Sequence, residues 1–279
     1  MLRLLFVSIL CLSALSIPLH AEPLWFAATG CGPYSAEEEP VLAGYLDRVS
    51  QDGKSEFLVH LGDVVSGSKK TWPESQYTAV ATLLKKSKRP VLVVLGDNEW
   101  NDLDNPSEGL EFWNRNFRNF EQYFPDAPLL EKQSVRPENF AFVAKGVLVI
   151  GLNIVGGRVH DKEEWASRLQ HDADWVKEQF QRHQSDTRSA VLLAQAMPRP
   201  DHELFFQQLT TYCQEWQKPV LYLHADGHVW QVEKAWRAPN LMRVQTDQVG
   251  RNPPVLVTVT DDPSEPFLFD RRLDIETPR

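Results

Sequence analysis

Six short apolar runs, each stopped by a polar turn, constrain this chain more than any other feature. Residues 24–28 end at Thr29-Gly30-Cys31-Gly32-Pro33, residues 56–60 at Gly62-Asp63, and residues 91–95 at Gly96-Asp97. Residues 147–152 end at Asn153, residues 190–194 at Gln195, and residues 219–223 at His224. Runs of this length, rich in Val and Leu, suit buried strands. Helical periodicity fills residues 36–50, 74–86 and 162–183, and a further helical stripe over 201–216 leads into the sixth run. Such alternation predicts strand–helix–strand units and a largely parallel sheet. The tail differs: residues 230–233, 242–245, 255–260 and 267–269 are short strands parted by turns, and they read as an antiparallel extension. Residues 125–137 read as a loop inside one domain.

The amino terminus is a unit of another kind. Arg3 precedes an apolar stretch over residues 4–17, Pro18 breaks it, and Leu19-His20-Ala21 follows. This is the pattern of a secretory signal peptide cut after Ala21. It is too short for a membrane span, which needs about 20 residues. Cys11 has no small residue before it, so no membrane anchor is expected. The organisation predicted is a signal peptide over 1–21 and a single domain over 22–279, in a periplasmic or secreted protein. The formal charge is −9, and loss of the leader removes one more Arg. So acidic a chain has no general attraction for nucleic acid, whose phosphates are held by Lys and Arg. Cys31 and Cys213 remain; two cysteines make no disulfide scaffold, and Cys213, on the apolar stripe with Phe206 and Leu209, reads as a buried thiol.

In open α/β sheets ligands bind beyond the carboxyl ends of the strands. There the polar residues of this chain collect: Cys31, Asp63, Asp97-Asn98, Asn153, Gln195, and His224 with Asp226 and His228. Asp, Asn and Gln oxygens suit hard divalent ions, and imidazole suits zinc, manganese and iron. Two ions about 3.5–4 Å apart would clamp a phosphate and activate water for in-line attack. Structural readings apply to several neighbours. His60 is expected to pack behind the ligands, Glu99 to bond loop backbone, and Trp100 to fill the loop. His160, His171, His183 and His202 lack ligand spacing and are expected at the surface.

"HLGDVVSG" (60–67), "VLGDNEWND" (94–102) and "LHADGHVW" (223–230) together resemble, in order, the motifs of the calcineurin-like metallophosphoesterases. With "NLMRVQT" (240–246) they resemble more narrowly a bacterial secreted branch of that family. The resemblance implies an α/β fold: a layered β-sandwich flanked by helices, with antiparallel C-terminal strands. It implies that Asp63 bridges two metal positions, that Asp97, Gln195 and Asp226 are ligands beside it, and that His228 is a ligand and part of the catalytic set. It puts Asn98 where the family has the His that protonates the leaving group; an amide can only orient a phosphate oxygen. Asn153 and His224 fall on the substrate side, although His224 reads equally as a satisfied strand-end residue.

The first motif departs furthest. Cys31 stands at a ligating Asp, and Pro33 at a His. One metal position then holds Cys31, Asp63 and His228, a poor set for a hard ion. The other holds Asp63, Asp97, Gln195 and Asp226, all oxygen donors, and fits one ion of manganese, magnesium or calcium. The expectation is a metal-dependent phosphoesterase that hydrolyses a small phosphomonoester or phosphodiester with metal-activated water. The alternative is a degenerate relative that binds a metal or ligand or serves as an interaction module. A nucleophilic Cys31 would need His228 beside it, which no triad spacing indicates.

Overall fold

Nearly every apolar run is buried on both faces, and this decides the layering. In the computed structural model, which describes residues 21–272, the chain forms β1 (Leu24–Thr29), α1 (Glu38–Gln51), β2 (Phe57–His60), α2 (Glu74–Leu84), β3 (Val91–Val93), α3 (Pro106–Phe117), β4 (Glu131–Lys132), β5 (Phe140–Ala144), β6 (Val147–Gly151), α4 (Lys162–Arg182), β7 (Ser189–Leu193), α5 (Glu203–Trp216), β8 (Val220–His224), β9 (Gln231–Glu233), β10 (Leu241–Gln245), β11 (Val255–Val259) and β12 (Phe267–Asp270). One sheet has the order β12-β11-β1-β2-β3, the other β4-β5-β6-β7-β8-β10-β9.

Side chains alternate between layers along each strand. Phe26 and Ala28 of β1, and Val147 and Val149 of β6, meet between the two sheets. Ala27 and Leu58 face the opposite way, against α1, α2 and α3. Leu148, Ile150, Leu192 and Tyr222 face α4 and α5. The result is a helix–sheet–sheet–helix sandwich. The helices begin where the local chemistry says they should. Asn105 caps α3 by accepting from the Glu108 N–H with Pro106 in the first turn, and Asp161 caps α4 by accepting from Glu163 and Glu164.

β1, β2 and β3 are parallel, as are β6, β7 and β8. The tail corrects the expectation of a wholly antiparallel extension. β9, β11 and β12 do pair antiparallel, but β10 runs parallel to β8, with Gln245 opposite His224. The tail also divides: β9 and β10 extend one sheet, β11 and β12 complete the other. Residues 125–137 are not all loop, because β4 pairs with β5 inside and beyond them. Neither β4, β5 nor α3 is visible as a strong periodic run. The signal-peptide reading lies, apart from Ala21, outside the described residues. Among the described residues no helix is long and apolar enough to cross a membrane.

Candidate active site

The carboxyl ends of β1, β2, β3, β7 and β8 meet along one rim. Cys31 N–H donates to the Gly62 carbonyl at 2.9 Å and Gly32 N–H to the Asp63 carbonyl at 2.8 Å, so the first turn is fastened to the second. Gly96 is required beside them: a Cβ there would stand 2.3 Å from Asp63 Oδ1. Glu99 Oε1 accepts from Gly96 N–H at 2.6 Å and Asp63 N–H at 3.1 Å. Burial pushes its carboxyl up to about 8, so Glu99 is a neutral clasp for these turns. Cys31, Asp63, Asp226 and His228 all hold left-handed φ, between 58° and 61°. Each such residue with a Cβ costs on the order of 1 kcal/mol, a cost that functional rims commonly carry.

Asp63 is the centre of the polar contacts. Its Oδ2 accepts from Cys31 Sγ at 3.5 Å, Tyr34 Oη at 3.2 Å and Gln195 Nε2 at 3.2 Å, and its Oδ1 from Asn98 N–H at 3.3 Å. Asp97 Oδ1 accepts from Gln195 Nε2 at 2.8 Å. Asp226 Oδ2 accepts from Met197 N–H at 3.2 Å, while Asp226 N–H donates to Cys31 Sγ at 3.2 Å. Asn98 Nδ2 lies 3.5 Å from Tyr34 Oη. Among the described residues no Lys or Arg forms an ion pair with Asp63, Asp97 or Asp226. Burial raises Asp63 above the ordinary carboxylate range. Burial and the charge of Asp63 lift Asp97 well above the carboxylate range, and burial raises Asp226. Burial likewise keeps Cys31 a thiol and lowers His228.

A cation fits this donor set, because three crowded carboxyl groups have, among the described residues, no Lys or Arg ion-paired to them. Ligand atoms of Cys31, Asp63 and His228 all lie within 4.8 Å of one another. Gln195 departs from its expected role. Its Oε1 accepts from Gly156 N–H at 2.8 Å, which turns the amide nitrogen toward Asp63 and Asp97. Rotation of the amide would set two N–H groups against each other, so the side chain offers the carboxylates a donor and the rim no oxygen.

Two substrate-side expectations are corrected. His224 is fully buried, with Nδ1 at 3.0 Å from the Ala225 carbonyl and Nε2 at 2.9 Å from Arg243 Nε; both nitrogens are occupied. Asn153 is also buried, donating from Nδ2 to Glu138 Oε1 at 2.7 Å. It belongs to a polar network behind β6. His202 is no surface residue: it is buried, stacked on Trp165 with ring centroids 5.5 Å apart, and bonded to the Val155 carbonyl. His60 packs as expected, its Nε2 2.7 Å from the Gly32 carbonyl. The structure does bring His228 beside Cys31, but the sulfur is fully buried and held by Asp63 and Asp226, unlike an attacking thiolate. Tyr34 is the contact that sequence reasoning left without a role. Only its place in the Gly-Cys-Gly-Pro-Tyr turn signalled it.

Fold and rim together define an α/β sandwich whose strand-end edge is built to receive a cation and an anionic ligand. The chain belongs to the calcineurin-like phosphoesterase family, whose model matches residues 37–230, and its function is of the phosphoesterase type. The match begins just past the Cys31 turn, the motif that departs most. Among solved structures it is similar to a dimetal phosphatase from Danio rerio, with TM-score 0.58, 11% identity, and 88% of this chain and 98% of that one covered. A 5'-nucleotidase from Candida albicans gives 0.56 and 12%, with coverage of 89% and 51%. GAP50, the anchor in the inner membrane complex of Plasmodium, gives 0.54 and 10%, with coverage of 92% and 90%. These likenesses are of fold. No curated protein sequence matches the chain.

Proposed function

We propose that the protein is a periplasmic or secreted phosphoesterase of the bacterial branch marked by Gly-Asp-Asn-Glu-Trp, acting with one divalent ion on a small phosphomonoester or phosphodiester. The observation that carries this reading is the convergence of Asp63, Asp97 and Asp226 with, among the described residues, no Lys or Arg ion-paired to them. A bound divalent ion would supply positive charge to a phosphoryl oxygen and make water more acidic. The chain does the rest. Asp63 anchors the centre, held in one rotamer by Tyr34, Gln195 and the Asn98 N–H. The Asn98 amide orients a phosphoryl oxygen; it has no proton to give, so the leaving group takes its proton from solvent. The excess of acid over base disfavours nucleic acid as a partner, and no membrane anchor is proposed.

A second reading has its own support. Cys31, Pro33 and Asn98 remove groups that the family resemblance would require, and general acid–base catalysis is typically worth about 10²–10⁴-fold. The fold also serves GAP50, described as an anchor. On this reading the chain binds a metal or phosphoryl ligand without turnover. Calorimetric titration of manganese into metal-stripped mature protein, wild type beside Asp63→Asn, tests both readings when followed by assays with p-nitrophenyl phosphate and its diester. Binding and hydrolysis lost together in Asp63→Asn support the enzyme. Binding without hydrolysis supports the second reading, and no binding in wild type refutes the metal centre.

A further inference from the structure

Resting on the reading of this rim as a metal centre, we propose that its ion is held by the trio Cys31, Asp63 and His228, and that the thiolate makes the site select zinc over magnesium, calcium or manganese. The sequence favoured the opposite position, an all-oxygen set completed by Gln195. The geometry reverses that preference. Gln195 presents an amide nitrogen to Asp63 and Asp97 because Gly156 N–H holds its oxygen. A hard ion there would lose one of its donors and face an N–H.

The trio has the opposite character. A tetrahedral zinc with sulfur, nitrogen and oxygen ligands sets its donor atoms roughly 3.5 Å apart. Cys31 Sγ and Asp63 Oδ2 are already 3.5 Å apart, and all three ligand atoms lie within 4.8 Å. Asp226 N–H points at the sulfur from 3.2 Å, the kind of outer hydrogen bond that tunes a metal-bound ligand. Neither ring nitrogen of His228 has a hydrogen bond to another described residue. Left-handed backbone at all three residues fixes the side chains on the rim. Pro33 supplies no side-chain ligand, so three protein ligands leave one position open, the arrangement of catalytic rather than structural zinc. On binding, the S–H bond breaks, its proton passes to solvent, and the electron pair forms the sulfur–metal bond.

Cobalt(II) is the probe, since thiolate ligation gives an intense sulfur-to-metal charge-transfer band in the near ultraviolet. Metal-stripped wild type titrated with cobalt is expected to develop that band, and Cys213→Ala to keep it. Cys31→Ser and Cys31→Asp are expected to lose it. In competition titrations Cys31→Ser should weaken zinc by about 100-fold, no less than the loss of an outer partner, and Cys31→Asp should favour manganese. Cobalt bound by wild type without the band would overturn the thiolate assignment while leaving a metal-dependent phosphoesterase intact. Failure of wild type to bind zinc, cobalt or manganese would overturn both.

Discussion

Two polar clusters lie at strand ends of this protein, and they differ in who supplies the positive charge. Around Asp63, the carboxyl groups of Asp97 and Asp226 crowd a rim where, among the described residues, no Lys or Arg is bonded to them. Around Asp172, the network carries its own cation. Arg168 is fully buried, donates to the Asn153 carbonyl at 3.1 Å, pairs with Glu164, and lies over the rings of Trp100 and Trp165. Asn139 Nδ2 donates to Asp172 Oδ1 at 2.6 Å, and Asn139 Oδ1 accepts from Asn153 N–H. The second cluster carries its cation within it and ties α4 to β5 and β6. The first is left open to a ligand. A buried polar cluster thus announces a site only when its charges do not balance.

The contrast can be broken most violently by activity. Asp63→Asn should lower metal-stimulated hydrolysis of p-nitrophenyl phosphate by three orders of magnitude or so, the scale of losing a central electrostatic group, with circular dichroism unchanged. Next comes the second cluster. Arg168→Met removes the fully buried cation that bonds the Asn153 carbonyl and pairs with Glu164, and should cost about 3 kcal/mol in urea unfolding, the low end of the loss for a broken buried pair, because Arg136 keeps its own pair with Glu164.

Both clusters hold carboxyls raised by burial, and pH reads each of them. Burial lifts Asp172 from 3.8 to about 8. Between those values the folded chain holds a proton that the unfolded chain has released, so stability falls as pH rises from about 4 to about 8 and then levels. Asp172→Asn should flatten that slope; an unchanged slope in thermal melts would reject the assignment. An effect of the same sense is expected at the rim. Burial and the charge of Asp63 hold the Asp97 carboxyl well above its ordinary range, so in metal-stripped protein at pH 8 Asp97→Asn should raise stability in urea unfolding, where the unfolded chain releases that proton. The smallest effect expected is none: His224→Gln should leave KM for p-nitrophenyl phosphate unchanged, since its ring faces Arg243.

The layering and most strands were legible because burial on both faces writes itself as unbroken Val/Leu runs. The direction of β10 was not, since residues 242–245 look alike whether parallel or antiparallel to a neighbour. That Asp63, Asp97, Asp226 and His228 share one rim was legible from their place after apolar runs. The same rule misplaced Asn153 and His224, because what occupies their polar atoms comes from distant segments: Glu138 before β5 and Arg243 on β10. The place of Gln195 was legible too, but which end of its amide faces the site depends on Gly156, 39 residues away in sequence and 2.8 Å in space.

The strand that leads into Cys31 is locked by a strand made long after it. Leu24 of β1 faces Val259 of β11, and Val249 N–H bonds the Gly30 carbonyl at 3.1 Å. During synthesis every shorter length of chain therefore has β1 bare along one edge, an invitation to pair with a neighbouring molecule, and closing so distant a contact is slow. A stop codon before residue 255 would remove no ligand and still leave no site. Loss of β11 would be felt far upstream, at β1, as aggregation rather than as weaker activity.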